Sequence, residues 1–384
     1  MLGNYKDDFI KGILDVIFNK LIIIKIEVED DINAHIIFET LNDRGLELCV
    51  SDLLKNYVFS KSEDYLDEVA DLWKGMVNNI GDNNIDKFLR HYFSSKFKLV
   101  RKEELYKEFK EHLKGKRSLE IKKLMEELDK ESEVYSNLKN PTHEFWGDEE
   151  IEDMLDELNI LGVEQVYILL LSAYDSLFGK NVEEFKKLLR LLINLTFRYS
   201  TICRSNPNEL EKKYSRIAIS LRKKEISYEI ICKEFREISP NSQIFIERFK
   251  NLEIKNIKLA KYILCKINEY LLKEAGEKEL TININKINLE HIIPKKPDLN
   301  WKKFLEEKNL NLDELIYRLG NMTILGSEYN KRIKNKFFTE KKSMYQKSNL
   351  PLNKELLRYN EFTKEEIEKR QFDMAKIADK IWKV

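Results

Sequence analysis

Apolar residues recur at steps of three and four positions through most of the chain between about residues 61 and 275. That spacing places them along one side of a helix and predicts a long, almost wholly helical region. The clearest stripes are Ile121, Leu124, Met125 and Leu128; Phe185, Leu188, Leu189 and Leu192; and Leu259, Ile263, Ile267 and Tyr270. These stripes are interpreted as core positions and are given no chemical role.

The N-terminal part of the chain has a more mixed pattern. Residues 4–19 predict a helix, and the β-branched run at 21–28 predicts a strand. A second helix is expected over about 32–42, with Gly45 as its candidate stop. Ser51 is a candidate N-cap for a further helix that continues through residue 60.

The pattern changes again beyond residue 276. Residues 279–286 alternate between apolar and polar side chains, which predicts a strand. Two short apolar segments follow, at 289–294 and 322–325, and each is short enough to be a strand rather than a helix. The first of them ends at a proline.

Helices are expected between and after these segments. The pattern predicts one at 301–308 and a polar one from about Ser327. Thr363 and Glu366 form a capping box that opens a last helix to the C-terminus. The expected fold class is therefore mainly α: a helical domain, then a small module in the order strand, excursion, strand, helix.

Composition narrows the class of protein. The 384 residues suit two or three domains, and 42% apolar with 35% charged residues is typical of a globular chain. The cysteines include no C-x-x-C pair, which argues against a zinc knuckle and a disulfide framework. No signal peptide is recognised and the apolar runs are too short to span a bilayer, so a cytoplasmic protein without a membrane partner is expected.

Charge is unevenly distributed although the formal net charge is zero. A net charge of zero argues against a protein that binds nucleic acid over its whole surface. An acidic run at 144–157 is interpreted as a solvated helix face. A basic run follows residue 329 and contains Lys331, Arg332, Lys334, Lys336, Lys341, Lys342 and Lys347. Because it lies beside the candidate catalytic residues, phosphate contact and a solvated face both stand as interpretations.

Four residues offer the groups that phosphodiester hydrolysis needs. That reaction requires a base for water, a cation that neutralises developing charge, and a group that orients the base. Glu290 and His291 lie together at a predicted strand end, Asn321 opens the next strand, and Asn330 follows nine residues later. In a regular strand Glu290 would point away from His291 unless the backbone bends there. The other histidines lack such partners and are interpreted as structural: His35, His91, His112 and His143.

This arrangement resembles the HNH, or ββα-metal, nuclease motif. The resemblance implies that His291 is the general base and that Asn321 orients it. It implies that Glu290 and Asn330 hold one Mg²⁺ or Mn²⁺ ion. The expected module is then a ββα-metal nuclease at about 276–350, followed by a C-terminal helix in 351–384.

The flanking residues extend the match to a particular family. Asn335, Phe338 and Lys341 follow in the pattern N-x-x-F-x-x-K. Together with E-H-I-x-P and L-G-N-x-T-x-L, this pattern is similar to the nuclease half of GmrSD-type modification-dependent restriction endonucleases. The resemblance implies cleavage of modified phage or foreign DNA, with DNA contacts from Lys331, Arg332, Asn335, Lys336 and Lys341. Alternatively, Asn335 ends the helix that carries Asn330, and Lys341 is a solvated lysine.

The N-terminal stretch resembles the end of the same family's ParB-like, nucleotide-using domain, through residues 38–45 and 51–56. Residues 42–45 also fit a plain helix terminator. The family's Asp-Gly-Gln-Gln-Arg motif has no counterpart, because the chain has no Gln-Gln pair. Residues 1–60 are therefore expected to be a remnant of that domain, 61–275 a helical domain, and the chain alone not to hydrolyse GTP or ATP. The implied partners are DNA, a nucleotide-hydrolysing ParB-like subunit or domain, and a second copy of the chain.

Two other functions stay open. The module could be catalytically inactive, and the chain a nucleic-acid-binding or regulatory subunit of a nucleotide-dependent restriction complex. It could instead cut RNA as a toxin. Metal-dependent cleavage of plasmid DNA compared with structured RNA separates these from the endonuclease hypothesis.

Overall fold

A computed structural model describes residues 3–21, 49–277, 282 and 284–384, and this part of the chain is mainly helical. The predicted first helix is present as α1, Gly3–Asp15, and continues into a π-helical turn, Val16–Lys20. The strand predicted from residue 21 and the helix predicted at 32–42 lie outside the described residues from position 22 onward. Within the described ranges, no helix combines the length and apolar character needed to cross a membrane.

The chain divides into two compact units. One contains Met1–Trp73 and Leu105–Met125, and the other contains Lys74–Glu104 and Glu126–Val384. These borders differ from the predicted domain borders at 60, 275 and 350. The predicted domains were defined by function, which the two compact units do not test. The candidate catalytic residues all belong to the second unit.

Helices α2 to α14 precede the sheet. Their bounds are α2 Val50–Ser60, α3 Leu66–Ile80, α4 Ile85–Lys96, α5 Leu105–Leu113, α6 Ser118–Lys139, α7 His143–Trp146, α8 Glu149–Leu161, α9 Val166–Ala173, α10 Val182–Leu195, α11 Pro207–Arg222, α12 Tyr228–Ile238, α13 Ser242–Lys250 and α14 Ile257–Glu274. The predicted cap of α2 is wrong. Cys49 occupies the N-cap, and Ser51 lies inside the first turn, where its hydroxyl donates to the Cys49 sulfur.

Helix α9 forms the centre of the second unit's helical part. All eight of its residues are buried, and it packs against α4 and α11. A helix that is apolar on every side has to be enclosed by others, which explains its central place. The predicted stripes on α6 and α10 are buried as expected, whereas Leu259 and Tyr270 on α14 are only half-buried.

The predicted strand at 279–286 is not formed where the structure describes it. Residues 284–286 make a turn and a bend, and positions 278–281 and 283 lie outside the described residues. The turn leads directly into β1, Ile287–His291. Strand β1 begins directly after this segment, so a strand lies close to the predicted place. Residues 284–286 themselves are not part of it.

Strands β1 and β2, Met322–Gly326, pair antiparallel, with Ile287 opposite Gly326 and His291 opposite Met322. The excursion between them contains α15, Leu299–Glu307, and α16, Leu312–Leu315, and a short 3₁₀ turn, Leu319–Asn321, leads into β2. The elements after β2 are α17 Ser327–Ile333, α18 Phe338–Lys347, α19 Pro351–Glu355 and α20 Lys364–Ile381. Helix α17 contacts both strands, as predicted.

This segment has an apolar core of its own. Ile292, Ile293, Trp301 and Leu325 are buried in it with residues of α17, α18 and α20. The capping box that opens α20 is confirmed, because the backbone N–H of Thr363 donates to the Glu366 carboxylate at 2.8 Å.

Candidate active site at the end of strand β1

Strand β1 ends at His291 because the next backbone groups are taken by Asn321. The Ile292 N–H donates to the Asn321 carbonyl, and the Ile293 N–H donates to the Asn321 side-chain oxygen, both at 2.8 Å. The Asn321 amide donates back to the Ile293 carbonyl at 3.1 Å. Asn321 is fully buried, so this reciprocal pair is shielded from water and fixes the chain directly after His291.

The role predicted for Asn321 therefore takes an indirect form. Both polar groups of its side chain bond to Ile293, two residues beyond His291, and not to the imidazole. Asn321 can orient His291 only by holding the backbone that follows it.

His291 is half-buried, and its Nε2 atom is fully buried with no hydrogen-bond partner among the described residues. Burial lowers the pKa of His291 to about 4, and the positive charges of Lys295 and Lys341 add to this effect. The ring is therefore neutral at neutral pH. A neutral imidazole with an unpaired nitrogen can accept a proton.

Lys341 is not the phosphate contact that the sequence predicts. Its side chain is completely buried, and its ammonium donates to Glu290 Oε1 at 2.5 Å, to the His291 carbonyl at 2.9 Å and to the Ile292 carbonyl at 3.1 Å. An ammonium has three N–H donors, and all three are used here. Lys341 instead holds the end of β1 from the α18 side.

Glu290 is the partner that Lys341 needs. Burial raises the pKa of the Glu290 carboxyl and lowers that of the Lys341 ammonium, while the attraction between the two opposes both shifts. The ion pair stabilises the charged form of each group against the cost of burial. The carboxylate is thus already committed through one oxygen, Oε1.

Asn330 lies on α17, and its side-chain oxygen is buried with no donor among the described residues. A buried acceptor without a donor is rare in folded proteins and points to an absent partner such as a cation or water. Helix α17 ends at Ile333, and the chain turns at Lys334, where φ is +43°. Asn335 lies in that turn, beyond the helix.

The other predicted DNA contacts are available to a ligand. Lys331, Arg332, Asn335 and Lys336 are all exposed. Lys331 also lies 3.6 Å from the exposed Glu328 carboxylate, a surface pair of little energetic weight. These side chains follow Asn330 along the chain, so the basic run remains a candidate surface for phosphate.

Helix α20 holds the turn that carries Asn321, a feature that sequence reasoning missed. Arg370 donates to the carbonyls of Gly320 at 2.8 Å and Met322 at 2.7 Å, on either side of Asn321. Gln371 accepts the Gly320 N–H at 3.0 Å. A Cβ on Gly320 would lie 2.1 Å from the Ile367 carbonyl oxygen, so only glycine allows this approach.

A second missed residue is Asn353, which supports β2. It accepts a hydrogen bond from the Thr323 hydroxyl at 2.6 Å and donates to the Ile324 carbonyl at 2.9 Å. All of these supports come from residues about thirty to fifty positions away along the chain. No local spacing rule connects such residues, so no sequence pattern indicates them.

The described residues contain no group of three or more His, Cys, Asp or Glu side chains that could enclose a metal ion. A site that relies on an amide oxygen is not excluded by this, because Mg²⁺ binds few protein oxygens and keeps several waters. The unpaired Asn330 oxygen fits such an ion. Glu290 fits less well, because a cation would have to share its carboxylate with Lys341.

The histidines without predicted partners have structural surroundings where they are described. His91 is buried and bonds to the Tyr135 hydroxyl at 3.0 Å, and His143 pairs with Glu152 on the surface. His112 contacts Lys116. His35 lies outside the described residues.

Comparison with known families identifies the segment that contains this site. Residues 239–377 match the model for the C-terminal domain of GmrSD restriction endonucleases. The matched segment runs from just before α13 into α20, so it includes the helix that holds the Asn321 turn. A search of curated proteins found no match.

Proposed function

We propose that this chain is a nuclease of a restriction system that cuts DNA by an HNH mechanism. The match of residues 239–377 to the model for the C-terminal domain of GmrSD restriction endonucleases supports the nuclease class. Hydrolysis of the phosphodiester would take place at the end of β1. The family match supports the proposed substrate class and defence role, and the residues at the end of β1 support the proposed mechanism.

One observation carries the mechanism. Two buried polar atoms, His291 Nε2 and Asn330 Oδ1, have no hydrogen-bond partner among the described residues. They belong to β1 and α17, which contact each other. Unpaired buried polar atoms cost free energy in the folded chain, so both atoms favour a missing ligand. A water to be deprotonated and a cation suit a nitrogen acceptor and an amide oxygen respectively.

His291 would act as the general base. Its ring is neutral at neutral pH and can take a proton from water through Nε2. Asn321 and Lys341 position it by holding the backbone of residues 291–293. Geometry of this kind, fixed before substrate binds, lowers the barrier by removing the need to reorganise.

Asn330 and, less readily, Glu290 would hold Mg²⁺ or Mn²⁺, which would supply positive charge against the negative charge of the phosphate. Lys331, Arg332, Asn335 and Lys336 would contact the DNA backbone. One such site cuts one strand, so a break in both strands would need a second copy of the chain or a second event.

The test is nicking of supercoiled plasmid, with modified phage DNA as a second substrate, across a titration of Mg²⁺ and Mn²⁺. His291→Ala should nick at least about 10²-fold more slowly at every metal concentration, because metal cannot replace a proton acceptor. Asn330→Ala should also lose activity, and high Mn²⁺ should partly restore it. His143→Ala, which removes an exposed histidine elsewhere, is the matched control and should nick like the parent.

A second candidate is an inactive, nucleic-acid-binding subunit of a nucleotide-dependent complex. The bond between Lys341 and Glu290 favours it, because this lysine occupies one oxygen of a carboxylate that the nuclease mechanism assigns to a cation. If the parent binds DNA but nicks it no faster than His291→Ala, the inactive-subunit hypothesis replaces the nuclease. Cleavage of structured RNA, with plasmid left intact, would make the chain a ribonuclease.

A further inference from the structure

We propose that Lys255, Tyr317 and Lys295 form a phosphate-binding surface, the lysine–tyrosine surface, that holds the DNA backbone next to the candidate active site and is separate from the basic run after Asn330. The inference rests on the proposed function for the identity of the ligand. Its geometry is independent of the metal-binding residues.

Two lysines converge on one aromatic ring. The Lys255 ammonium lies 5.2 Å and the Lys295 ammonium 5.3 Å from the centroid of the Tyr317 ring. Both lysines are exposed and Tyr317 is half-buried, so the two ammonium groups lie close to the ring and stay open to a ligand. Attraction of a cation to the ring face favours this placement of each lysine.

Neither lysine forms an ion pair with an acidic side chain among the described residues. Within the described residues, neither ammonium lies within 4 Å of a carboxylate, although Glu253 is exposed only two positions from Lys255. Other lysines do form such a pair, for example Lys266 with Glu157 at 2.7 Å. Two unneutralised cations near one ring repel each other, and a phosphate backbone that contacts both would reduce that cost.

The backbone beneath the surface is fixed by hydrogen bonds. The Ile254 N–H donates to the Tyr317 carbonyl at 2.8 Å, and Glu253 and Arg318 form an antiparallel bridge. The Arg318 guanidinium donates to the Lys250 carbonyl at 2.6 Å. These backbone contacts bring Lys255 and Tyr317 together, although the two residues are far apart in sequence.

The third member of the surface connects it to the candidate active site. Lys295 follows the Ile293 backbone that Asn321 holds, and its charge acts on the His291 ring. A phosphodiester strand that presents one phosphate to His291 can place a neighbouring phosphate against Lys295. The double-stranded backbone is the favoured ligand, because phosphates repeat along it at short intervals.

The experiment measures the salt dependence of DNA binding by the full chain, in the absence of divalent cation so that no cleavage occurs. Binding of a short fluorescein-labelled duplex is followed by anisotropy. The double variant Lys255→Ala/Lys295→Ala should bind more weakly, and the slope of log Kd against log salt should become shallower by about 1.8, or about 0.9 for each lost phosphate contact. Tyr317→Phe keeps the ring and should bind like the parent.

The matched control is Lys223→Ala/Lys224→Ala, which removes two exposed lysines at the end of α11 and should leave the slope unchanged. Equal slopes for the parent and the Lys255/Lys295 variant would overturn the surface, even if His291-dependent nicking is present. A shallower slope in a chain that does not nick would support the surface and reject the nuclease. A parent that does not bind duplex at low salt would overturn the surface as well.

Discussion

Two histidines, His91 among the helices and His291 at the end of β1, share a strongly lowered pKa but differ in what their ring nitrogens contact. His91 bonds to the Tyr135 hydroxyl and lies among aromatic rings, with the Tyr135 and Tyr167 centroids 5.7 Å and 6.3 Å away. Nε2 of His291 is buried with no partner among the described residues.

The difference shows why a lowered pKa by itself does not identify a catalytic base. Burial is the largest cause at both positions, and it lowers the pKa of His91 to about 3 and that of His291 to about 4. At His91 the surrounding rings and the hydrogen bond account for the residue as part of the core. At His291 the Nε2 atom has no partner among the described residues, so packing and hydrogen bonding do not account for this residue in the same way.

The largest expected effect separates the two histidines directly. His291→Ala should lower the plasmid-nicking rate by about 10²–10⁴-fold, with little change in stability, because it removes a base whose Nε2 makes no hydrogen bond to the chain. His91→Ala should instead lower the free energy of unfolding by about 3 kcal/mol through lost packing and an unpaired Tyr135 hydroxyl. Rates should be normalised to folded protein by circular dichroism. Comparable rate losses in both variants would remove the distinction.

The substitution Lys341→Met tests the surroundings of His291, because Lys341 holds the end of β1. It leaves the buried Glu290 carboxylate without its partner and should lower the free energy of unfolding by about 3–5 kcal/mol. Urea unfolding measures this loss. The double variant Glu290→Gln/Lys341→Met removes both charges and should recover part of it. If Lys341→Met is as stable as the parent but fails to bind DNA, the predicted phosphate contact was right and the buried ion pair is not formed.

The stability of the helical part should fall in acid because of His91. Its folded pKa lies below the ordinary value of 6.5, so its contribution is fully present above that pH and is lost as pH falls toward 3. Between neutral pH and about pH 4.5 the loss should be roughly 2.5 kcal/mol. His91→Asn can still bond to Tyr135 but cannot gain a proton, so its urea midpoint should fall less over the same range. Identical pH profiles for the parent and the variant would contradict this.

The smallest effect concerns the turn that carries Asn321. Gly320→Ala puts a methyl group against the Ile367 carbonyl and should lower the free energy of unfolding by about 2 kcal/mol, since the backbone of α20 has to move. Thermal unfolding and nicking should be measured together. Nicking should fall more than the loss of folded protein explains, because the displaced turn also carries Asn321. Gly179→Ala is the control, since an added Cβ there meets nothing within 4 Å.

The candidate site was only partly accessible to sequence reasoning. The spacing of His291, Asn321 and Asn330 indicated the right segment, and the paired strands followed by α17 are present. Lys341 was interpreted as a phosphate contact or a solvated lysine because it belongs to the basic run after residue 329. Its burial depends on Glu290 and two carbonyls about fifty positions earlier, which no local pattern contains.

The predicted ends of helices and strands were wrong where side-chain hydrogen bonds to the backbone end an element earlier or later than the apolar pattern suggests. The segment at 289–294 is apolar throughout, yet β1 stops at His291 because Asn321 and Lys341 take the next backbone groups. Ser51 looks like an N-cap, but the helix starts one residue before it. Periodicity sets where a helix or strand is favoured, and local hydrogen bonds decide where it ends.

The sequence by itself determined the helical class, the buried stripes, the last capping box and the identity of the residues at the end of β1, because each depends on periodicity or on short-range chemistry. Only the tertiary structure decided that Arg370 and Gln371 hold the Asn321 turn and that Lys341 is buried against Glu290. It also decided that the Lys255 and Lys295 ammonium groups both lie close to the Tyr317 ring. These contacts join residues from distant parts of the chain. Their free energy depends on burial and on converging charges, which exist only after the helices have packed.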